Sequence, residues 1–151
     1  MINTTLCYIE KDNKYLMLLR NKKENDLNEG KWVGIGGKFE AGETPEECLL
    51  REVREEARLT LTRYHFHGII RFISDRWEDE DMYLYSASGF TGTIPDTCDE
   101  GELRWIDKDK IMGLSLWEGD RYFLSELLRG TETINMTLKY KGDRLISVEI
   151  M

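Results

Sequence analysis

Residues 36–59 read GGKFEAGETPEECLLREVREEARL, and much of what the sequence predicts depends on this stretch. Thr44 can cap a helix, Pro45 suits the first helical position, and Glu47 completes a capping box three residues after the cap. These signals predict a helix that runs from Pro45 to about Arg58. At about 100° per residue, this helix has one apolar face, which we expect to pack on the core and which contains Leu49, Leu50, Val53 and Ala57.

The same helix carries three glutamates on a different face. Glu52, Glu55 and Glu56 are spaced at i, i+3 and i+4, where like charges repel by a few tenths of a kcal/mol per pair. The helical wheel places no basic residue among them. The face is therefore either solvated and balanced by ion pairs such as Glu47–Arg51, or it binds hard cations such as Mg²⁺ and Mn²⁺, which prefer oxygen ligands.

The spacing around the glutamates favours cation binding. Gly37 is followed after five residues by Glu43, and Glu43 after seven residues by the run Arg51–Glu56. This ordered pattern resembles the signature of the Nudix hydrolases. One position departs from it, because the signature has a glycine near the end of its helix that we align with Ala57. We therefore expect the helix to run slightly longer in this chain.

The resemblance implies both a reaction and a fold. Nudix hydrolases cleave a nucleoside diphosphate linked to another group, and a loop–helix–loop formed by the signature binds Mg²⁺ or Mn²⁺. Their fold is an α/β/α sandwich around a mixed β-sheet, which belongs to the α+β class.

Roles for individual residues follow from the same resemblance. The metal ligands are expected to be side chains of the helix and a backbone carbonyl of the glycine pair, that is Glu52, Glu55, Glu56 and either Gly36 or Gly37. The catalytic residues are expected to be Arg51, Glu52, Glu55 and Glu56. Arg51 would orient the glutamates through ion pairs, either Glu55 or Glu56 would accept a proton, and Glu43 would be structural.

A second acidic segment lies downstream, at residues 98–102, which read CDEGE. Nudix enzymes often take a further metal ligand from such a loop, and we select Glu100 for this role. The alternative is that the loop carries ordinary solvated charge.

The remaining chain predicts several strands and one more helix. We expect an opening hairpin at 4–20, a loop at 21–32, strands at 32–39, 64–74, 82–92 and 101–107, a turn at 107–113, a helix at 117–130 and an extra C-terminal hairpin at 133–150. Because strands and helices do not alternate, a mixed α+β sandwich is favoured over a doubly wound parallel sheet. The C-terminal hairpin is expected to cover either the base pocket or an interface.

Length and charge limit the classes of protein that fit. With 151 residues, one domain spanning 1–151 is expected. The net charge of −8 disfavours binding to nucleic acid polymers or to anionic membranes. No apolar run reaches the ~18 residues of a membrane span, and the N-terminus lacks the pattern of a signal peptide.

Cysteine and histidine usage adds two expectations. Cys7, Cys48 and Cys98 form no CxxC pair, so neither a zinc site nor a disulfide framework is indicated, and a reducing cytoplasmic location fits best. His65 and His67 alternate along one predicted strand and share a face. We expect them to be structural, because no third metal ligand lies nearby in the sequence.

Further stretches resemble the oxidised-purine nucleoside triphosphatases of the Nudix family, which are relatives of bacterial MutT. They are EGKWVGIGGKFEAGET at 29–44, DEGELRWID at 99–107, LWEGD at 116–120 and KYKGD at 139–143. The resemblance implies a phosphate contact from Lys23 and a base pocket lined by Leu27, Phe72 and Trp117. The alternatives are a solvated loop lysine at Lys23 and a core aromatic residue at Trp117.

Two departures from this type concern the residues that read the base. The family type has an asparagine after the first tryptophan, where this chain has Val33, and two adjacent aspartates after the second, where it has Glu118-Gly119-Asp120. Of these substrate-pocket positions, only Asp120 keeps the polar group of the type. A site built around matched buried polar groups discriminates strongly between bases, so the identity of the base stays open.

The sequence thus predicts a Mg²⁺-dependent pyrophosphohydrolase, with Mn²⁺ as the second candidate metal. Its substrate would be a small-molecule nucleoside triphosphate, with an oxidised purine nucleotide as the leading candidate, cleaved to the monophosphate and pyrophosphate. One alternative is an ADP-ribose or nucleoside-diphosphate-sugar hydrolase. Another is a non-catalytic Nudix domain that senses nucleotides. The sequence does not indicate an oligomeric state.

Overall fold

Strands dominate the computed structural model, which describes residues 1–22 and 28–151. In chain order the elements are β1 (Ile2–Lys11), β2 (Lys14–Arg20), β3 (Trp32–Val33), β4 (Ile35–Lys38), α1 (Pro45–Ala57), β5 (Thr60–Ser74), β6 (Glu80–Thr91), β7 (Thr97–Cys98), β8 (Gly101–Asp107), a 3-10 helix (Lys108–Gly113), α2 (Asp120–Leu128), β9 (Met136–Lys141) and β10 (Arg144–Ile150). No helix in these ranges is long and apolar enough to cross a membrane.

The strands form one mixed sheet. Its order is β10-β9-β5-β6-β1-β2-β8-β7, with β3 added to β2 and β4 added to β1. The β1–β6 and β5–β9 pairs are parallel, and the other pairs are antiparallel. Strand β1 therefore contacts β2, β4 and β6, and it lies at the centre of the sheet.

The two helices cover opposite faces of this sheet. Along β1, Tyr8 packs into the apolar cluster that contains Phe123 of α2, whereas Cys7 and Ile9 pack into the cluster that contains Val53 of α1. This alternation follows from the two-residue period of a strand. The predicted α/β/α sandwich around a mixed sheet is confirmed.

Both terminal hairpins form as predicted. Asp12 and Asn13 connect β1 to β2 with φ values of 52° and 61°, the left-handed conformation that two-residue hairpin turns require and that Asp and Asn tolerate. At the other end, Lys141 pairs with Arg144 around Gly142, whose φ is 60°.

Several predicted boundaries were wrong. Strand β5 begins at Thr60 rather than residue 64, and the second helix begins at Asp120 rather than residue 117. Residues 117–119 form a turn in which the Asp120 N–H donates to the Trp117 carbonyl at 3.1 Å. The short strand β7 was not predicted, because two residues are too few to show a period.

Helix α1 begins as predicted but ends earlier than expected. The Glu47 N–H donates to the Thr44 hydroxyl at 3.1 Å, and the Thr44 N–H donates to the Glu47 carboxylate at 2.9 Å. The helix ends at Ala57, and Arg58 follows in the left-handed conformation with a φ of 58°. Our alignment of the signature glycine with Ala57 was therefore wrong. Arg58, two residues after the last glutamate, occupies the position that favours glycine.

A pair of substitutions tests this correction. Arg58→Gly should raise the free energy of unfolding by about 1 kcal/mol, because glycine removes the cost of a side chain in the left-handed region. Ala57→Gly should lower it by roughly 0.5–1 kcal/mol, because Ala57 is helical. Urea denaturation of both variants measures the two effects. Equal destabilisation by both would contradict the assignment.

Candidate active site

The glycine pair of β4 lies directly against α1. Gly37 pairs with Thr5 and Gly36 with Leu6 on β1. A Cβ atom added to Gly37 would lie 2.7 Å from the carboxylate of Glu52, and one added to Gly36 would lie 1.9 Å from the Thr5 carbonyl oxygen. Only glycine therefore lets this strand approach both its neighbouring strand and the glutamate face of the helix.

The guanidinium of Arg51 is the hub of the glutamate cluster. It contacts both carboxylate oxygens of Glu43, at 2.5 and 3.0 Å, and donates to Glu52 at 2.8 Å and to Glu55 at 3.1 Å. It also donates to the Lys38 carbonyl at 3.1 Å. These bonds join the glycine strand, the loop after it and the helix. Hydrogen bonding from Arg51 lowers the pKa of Glu43 to about 2.

The expectation that no basic residue lies among the three glutamates was wrong. A helical wheel places Arg51 by its Cβ direction, but its long side chain lies along the helix surface and reaches the next residue and the residue four positions on. The Glu47–Arg51 ion pair that we considered for a solvated face is not among those of the described residues, and Glu47 binds the helix cap.

Glu56 differs from the other two glutamates because it is buried. Its side chain accepts a hydrogen bond from the Gly36 N–H at 3.3 Å, and the residue is 9% exposed. Burial, followed by the negative charges of Glu52 and Glu100, raises the pKa of Glu56 to about 8. Burial also raises the pKa of Glu52. A carboxylate in this setting stays ionised at neutral pH only when positive charge is supplied nearby.

Glu100 reaches the same region from the turn between β7 and β8. It forms an ion pair with Arg20 at 2.8 Å. A pocket of about 400 Å³ is lined by Glu100 together with the three glutamates of α1, Glu52, Glu55 and Glu56. The structure therefore brings the predicted acidic residues into one pocket, although they lie more than forty positions apart in the sequence.

The chemistry of this pocket fits a hard divalent cation. Its donors are carboxylate oxygens crowded together, and a cation would offset the repulsion that raises the pKa of Glu56. Among the described residues, no three acidic, histidine or cysteine side chains converge into a ready-made metal-binding group. Arg51 engages Glu52 and Glu55, so metal binding by these side chains remains a prediction.

A second pocket, of about 520 Å³, adjoins the acidic one. It is lined by four of the predicted substrate residues, Val33, Phe72, Trp117 and Asp120. Gly36, Gly37 and Arg20 also line it, and these residues connect it to the glutamate cluster. The predicted contacts of Lys23 and Leu27 lie outside the described residues.

Aromatic rings form one wall of this second pocket. The Trp117 indole N–H donates to the Asn28 side-chain oxygen at 2.8 Å, which fixes the orientation of the ring. Tyr140 meets Trp117 edge to face at 5.6 Å between centroids and stacks with Phe72 at 6.4 Å. The half-buried Trp117 is thus a pocket residue rather than a fully buried core residue.

The geometry explains why glycine replaces an aspartate of the family type at position 119. The Gly119 N–H donates to the Tyr140 hydroxyl at 2.7 Å. A Cβ atom on Gly119 would lie 2.6 Å from that hydroxyl and 2.8 Å from Leu138. No side chain fits at this position while Tyr140 is in place. Since Tyr140 and Gly142 line the pocket, the C-terminal hairpin contributes to it.

Several pocket residues were not predicted from the sequence. They are Thr4, Arg20, Asn28, Glu80 and Tyr140. Only Tyr140 lies in a stretch that resembles the family, and each of the five reaches the pocket through strand pairing or through a loop that packs on it. A polar residue inside an otherwise apolar strand, such as Thr4 in β1, is the one signal that could have been used.

His67 has structural partners in the described chain, and the His65 ring packs against it with 4.6 Å between centroids. The ring nitrogens of His67 lie 2.8 Å from the Glu132 carbonyl and 2.7 Å from the Ser86 hydroxyl. Both partners come from neighbouring segments of the protein, which agrees with the structural interpretation.

Comparison with known proteins decides the family. The sequence profile of the NUDIX domain matches residues 2–127. The chain belongs to the NUDIX family. Among curated relatives, the uncharacterized Nudix hydrolase YvcI of Bacillus subtilis is 29% identical over 143 residues, covering 90% of this chain and 85% of the relative. The oxidized purine nucleoside triphosphate hydrolase of Danio rerio is 32% identical over 130 residues, covering 85% and 82%.

Solved structures agree with this assignment. The crystal structure of a MutT protein from Bacillus halodurans superposes with a TM-score of 0.89 at 26% identity and covers 99% of this chain and 97% of that one. The predicted Nudix fold and the prediction of a hydrolase of this family are confirmed.

The buried Asp120 of this Nudix hydrolase predicts a pH dependence of stability. Burial, followed by the charge of Glu80, raises the pKa of Asp120 to about 7, whereas Lys31 lowers it. Because the folded-state pKa lies above the ordinary value near 4, the protonated form is favoured in the native state, and stability falls as the pH rises from about 4 to about 7. Asp120→Asn should remove this loss. Its advantage in free energy of unfolding should grow across that range to the order of a few kcal/mol.

Urea denaturation at pH 4, 5.5, 7 and 8.5 measures this difference. Glu118→Gln, an exposed neighbour, is the matched control and should differ from the parent protein by a constant amount. A constant difference for Asp120→Asn across the same range would contradict the buried, proton-binding carboxylate.

Proposed function

We propose that this Nudix hydrolase cleaves a nucleoside triphosphate to the monophosphate and pyrophosphate, with Mg²⁺ as the metal and Mn²⁺ as the second candidate. The observation that carries the proposal is the junction of two pockets at Gly36 and Gly37. One pocket is lined by carboxylates and the other by aromatic rings. A nucleotide has two matching parts, an anionic polyphosphate and a flat base, joined in one molecule.

The acidic pocket would hold the metal and the reacting phosphates. The proposed ligands are Glu52, Glu55, Glu56, Glu100 and a backbone carbonyl of Gly36 or Gly37. A bound divalent ion neutralises negative charge that develops on the phosphate oxygens. Arg20 and Lys38 line the neighbouring pocket and would supply further positive charge to the polyphosphate, and the predicted phosphate contact of Lys23 belongs with them.

The side chains of the helix would position and deprotonate the attacking water. Arg51 holds Glu52 and Glu55 in fixed directions through its ion pairs. Water attacks phosphorus as a phosphorus–oxygen bond of the anhydride breaks, and its proton passes to a glutamate. Glu56 suits this role better than Glu55, because its carboxylate is buried and held by the Gly36 N–H at 3.3 Å, whereas Glu55 is 59% exposed.

The aromatic pocket would bind the base. A ring stacked between Phe72 and Trp117 gains contact area and favourable stacking, and Asp120 would accept a hydrogen bond from the base. An oxidised purine nucleotide is the leading substrate, because the relative from Danio rerio carries that activity in its name. Val33 replaces the asparagine of the family type, and Gly119 replaces one of its aspartates. The selectivity for oxidised over ordinary purines therefore has to be measured directly.

We further propose that the partner is a free nucleotide. The net charge of −8 disfavours binding to a nucleic acid polymer or to an anionic membrane. A cytoplasmic location is supported by Cys7, Cys48 and Cys98, which are all free thiols in the structure.

The products identify the reaction. Incubation with Mg²⁺ and a panel of 8-oxo-dGTP, dGTP, dATP, dCTP, ADP-ribose and a nucleoside diphosphate sugar should release pyrophosphate from a triphosphate. AMP and ribose phosphate from ADP-ribose would replace the proposal with the first alternative. Tight nucleotide binding without turnover would replace it with the nucleotide-sensing domain.

Neutralising one glutamate tests the acidic pocket. Glu56→Gln should lower kcat with the best substrate at least ~100-fold, because it removes both the proton acceptor and a charge that faces the metal. Glu47→Gln is the control, since glutamine also completes a capping box and should leave kcat within about twofold. Near-normal turnover by Glu56→Gln would contradict the proposed role.

A further inference from the structure

Besides Asp120, two carboxylates line the aromatic pocket, those of Glu78 and Glu80, and Glu80 is the less exposed of the two. Glu80 is the first residue of β6 and pairs with Ile2 of β1 on one side and with Phe72 of β5 on the other. Its side chain lines the pocket that also contains Phe72 and Trp117. The Thr4 hydroxyl donates to one Glu80 oxygen at 2.6 Å. That bond fixes the carboxylate and leaves its other oxygen able to accept.

Asp120, the first residue of α2, lines the same pocket as Glu80. The residue is 6% exposed and lines the pocket, and none of the hydrogen bonds found in the described ranges ends on its carboxylate. Glu80 lies close enough that its charge raises the pKa of Asp120. A buried carboxylate beside a half-buried one is costly unless hydrogen-bond donors are supplied to it. A ligand that carries several N–H groups would supply those donors.

The neighbouring positions show why a carboxylate on β6 is needed. Position 119 has no room for a side chain because the Tyr140 hydroxyl and Leu138 occupy the space. Position 33 carries the apolar Val33, which packs into the cluster on the α1 side of the sheet. Two of the three polar groups expected for the family type are therefore absent, and Glu80 is a polar side chain that a hydrogen bond fixes in the wall of this pocket.

We propose that Glu80 is a specificity-determining residue that, together with Asp120, accepts hydrogen bonds from the N–H groups of a 2-amino-6-oxopurine base. Such a base, oxidised at C8 or not, carries N1–H beside a 2-amino group, and these adjacent donors match a carboxylate. A 6-oxopurine without the amino group offers one donor fewer on this edge. Adenine places an acceptor nitrogen next to its amino group and would face the carboxylates unfavourably. The inference rests on the proposed function, because it names the base that the same pocket takes.

The test compares dGTP with dITP, which differ only in the 2-amino group. The parent protein should favour dGTP by about 10–100-fold in kcat/KM, the range expected when a charged acceptor loses its donor. Glu80→Gln should reduce that preference to within about threefold. It should lower kcat/KM for dGTP and for 8-oxo-dGTP by similar factors, because both carry the same donor edge, and should change the value for dITP little.

Two further variants separate recognition of the base from a structural role. Glu132→Gln removes the same charge at an exposed side chain that lines neither pocket, and should leave the dGTP to dITP ratio unchanged. Thr4→Val removes the donor that fixes Glu80 and should lower the ratio part of the way. Equal loss with dGTP and dITP in Glu80→Gln, or no preference in the parent protein, would overturn the inference.

The affinities for dGMP and dIMP, measured by calorimetry, test the role of Glu80 independently of the proposed reaction. Monophosphates read the base pocket without turnover, and the parent protein should bind dGMP more tightly by about tenfold or more, a preference that Glu80→Gln should abolish. Selective binding that depends on Glu80 in a protein without turnover would overturn the hydrolytic proposal and support the role of Glu80. Turnover of triphosphates together with equal binding of dGMP and dIMP would support the hydrolytic proposal and overturn the role of Glu80.

Discussion

The site depends on the hydrogen bonds and ion pairs of the Arg51 guanidinium. This guanidinium binds Glu43 through two hydrogen bonds, Glu52 and Glu55 through one each, and the carbonyl at the end of the glycine strand. Without a cation at this point, the glutamates of one helical face would repel each other, and the loop before the helix would lose the ion pair that ties Glu43 to α1. A charge-assisted network of this kind is stronger than its separate pairs, because each partner restricts the others. The arrangement fixes the loop and the helix as one unit.

The local part of this organisation could be predicted from the sequence, and the long-range part could not. The helix, its capping box and the glutamates depend on residues within one or two turns of each other, so spacing was enough. The position of the signature glycine was misassigned by one residue, and the left-handed conformation of Arg58 corrected it. The helical wheel alone missed the reach of Arg51 because it ignores side-chain length, whereas the family resemblance implied ion pairs between Arg51 and the glutamates. Glu80 and Tyr140 reach the base pocket through strand pairs formed by segments distant in the sequence, for which a single sequence provides no register.

The base pocket shows how one substitution is tied to others around it. The family type places an aspartate where this chain has Gly119, and the structure fills that space with the hydroxyl of Tyr140. Tyr140 in turn stacks with Phe72 and meets the edge of Trp117. The aromatic wall and the missing aspartate are therefore parts of one packing arrangement, and the polar group that was lost cannot be restored without disturbing the rings. A carboxylate from another strand is a way to keep a polar contact under that constraint.

The acidic groups and the wall of the aromatic pocket come from different parts of the chain, because the C-terminal hairpin completes that wall. Strand β9 joins the sheet beside β5 in parallel, and only then do Tyr140 and Leu138 close the space next to Gly119. All the glutamates of α1, the glycine pair and Glu100 lie before β9 in the chain. On a ribosome, the emerging polypeptide thus carries its full set of acidic groups before the wall that selects the base has been made. Because Met136 and Leu138 of β9 are buried in the core, a chain shortened before β9 would lose core packing together with the aromatic wall.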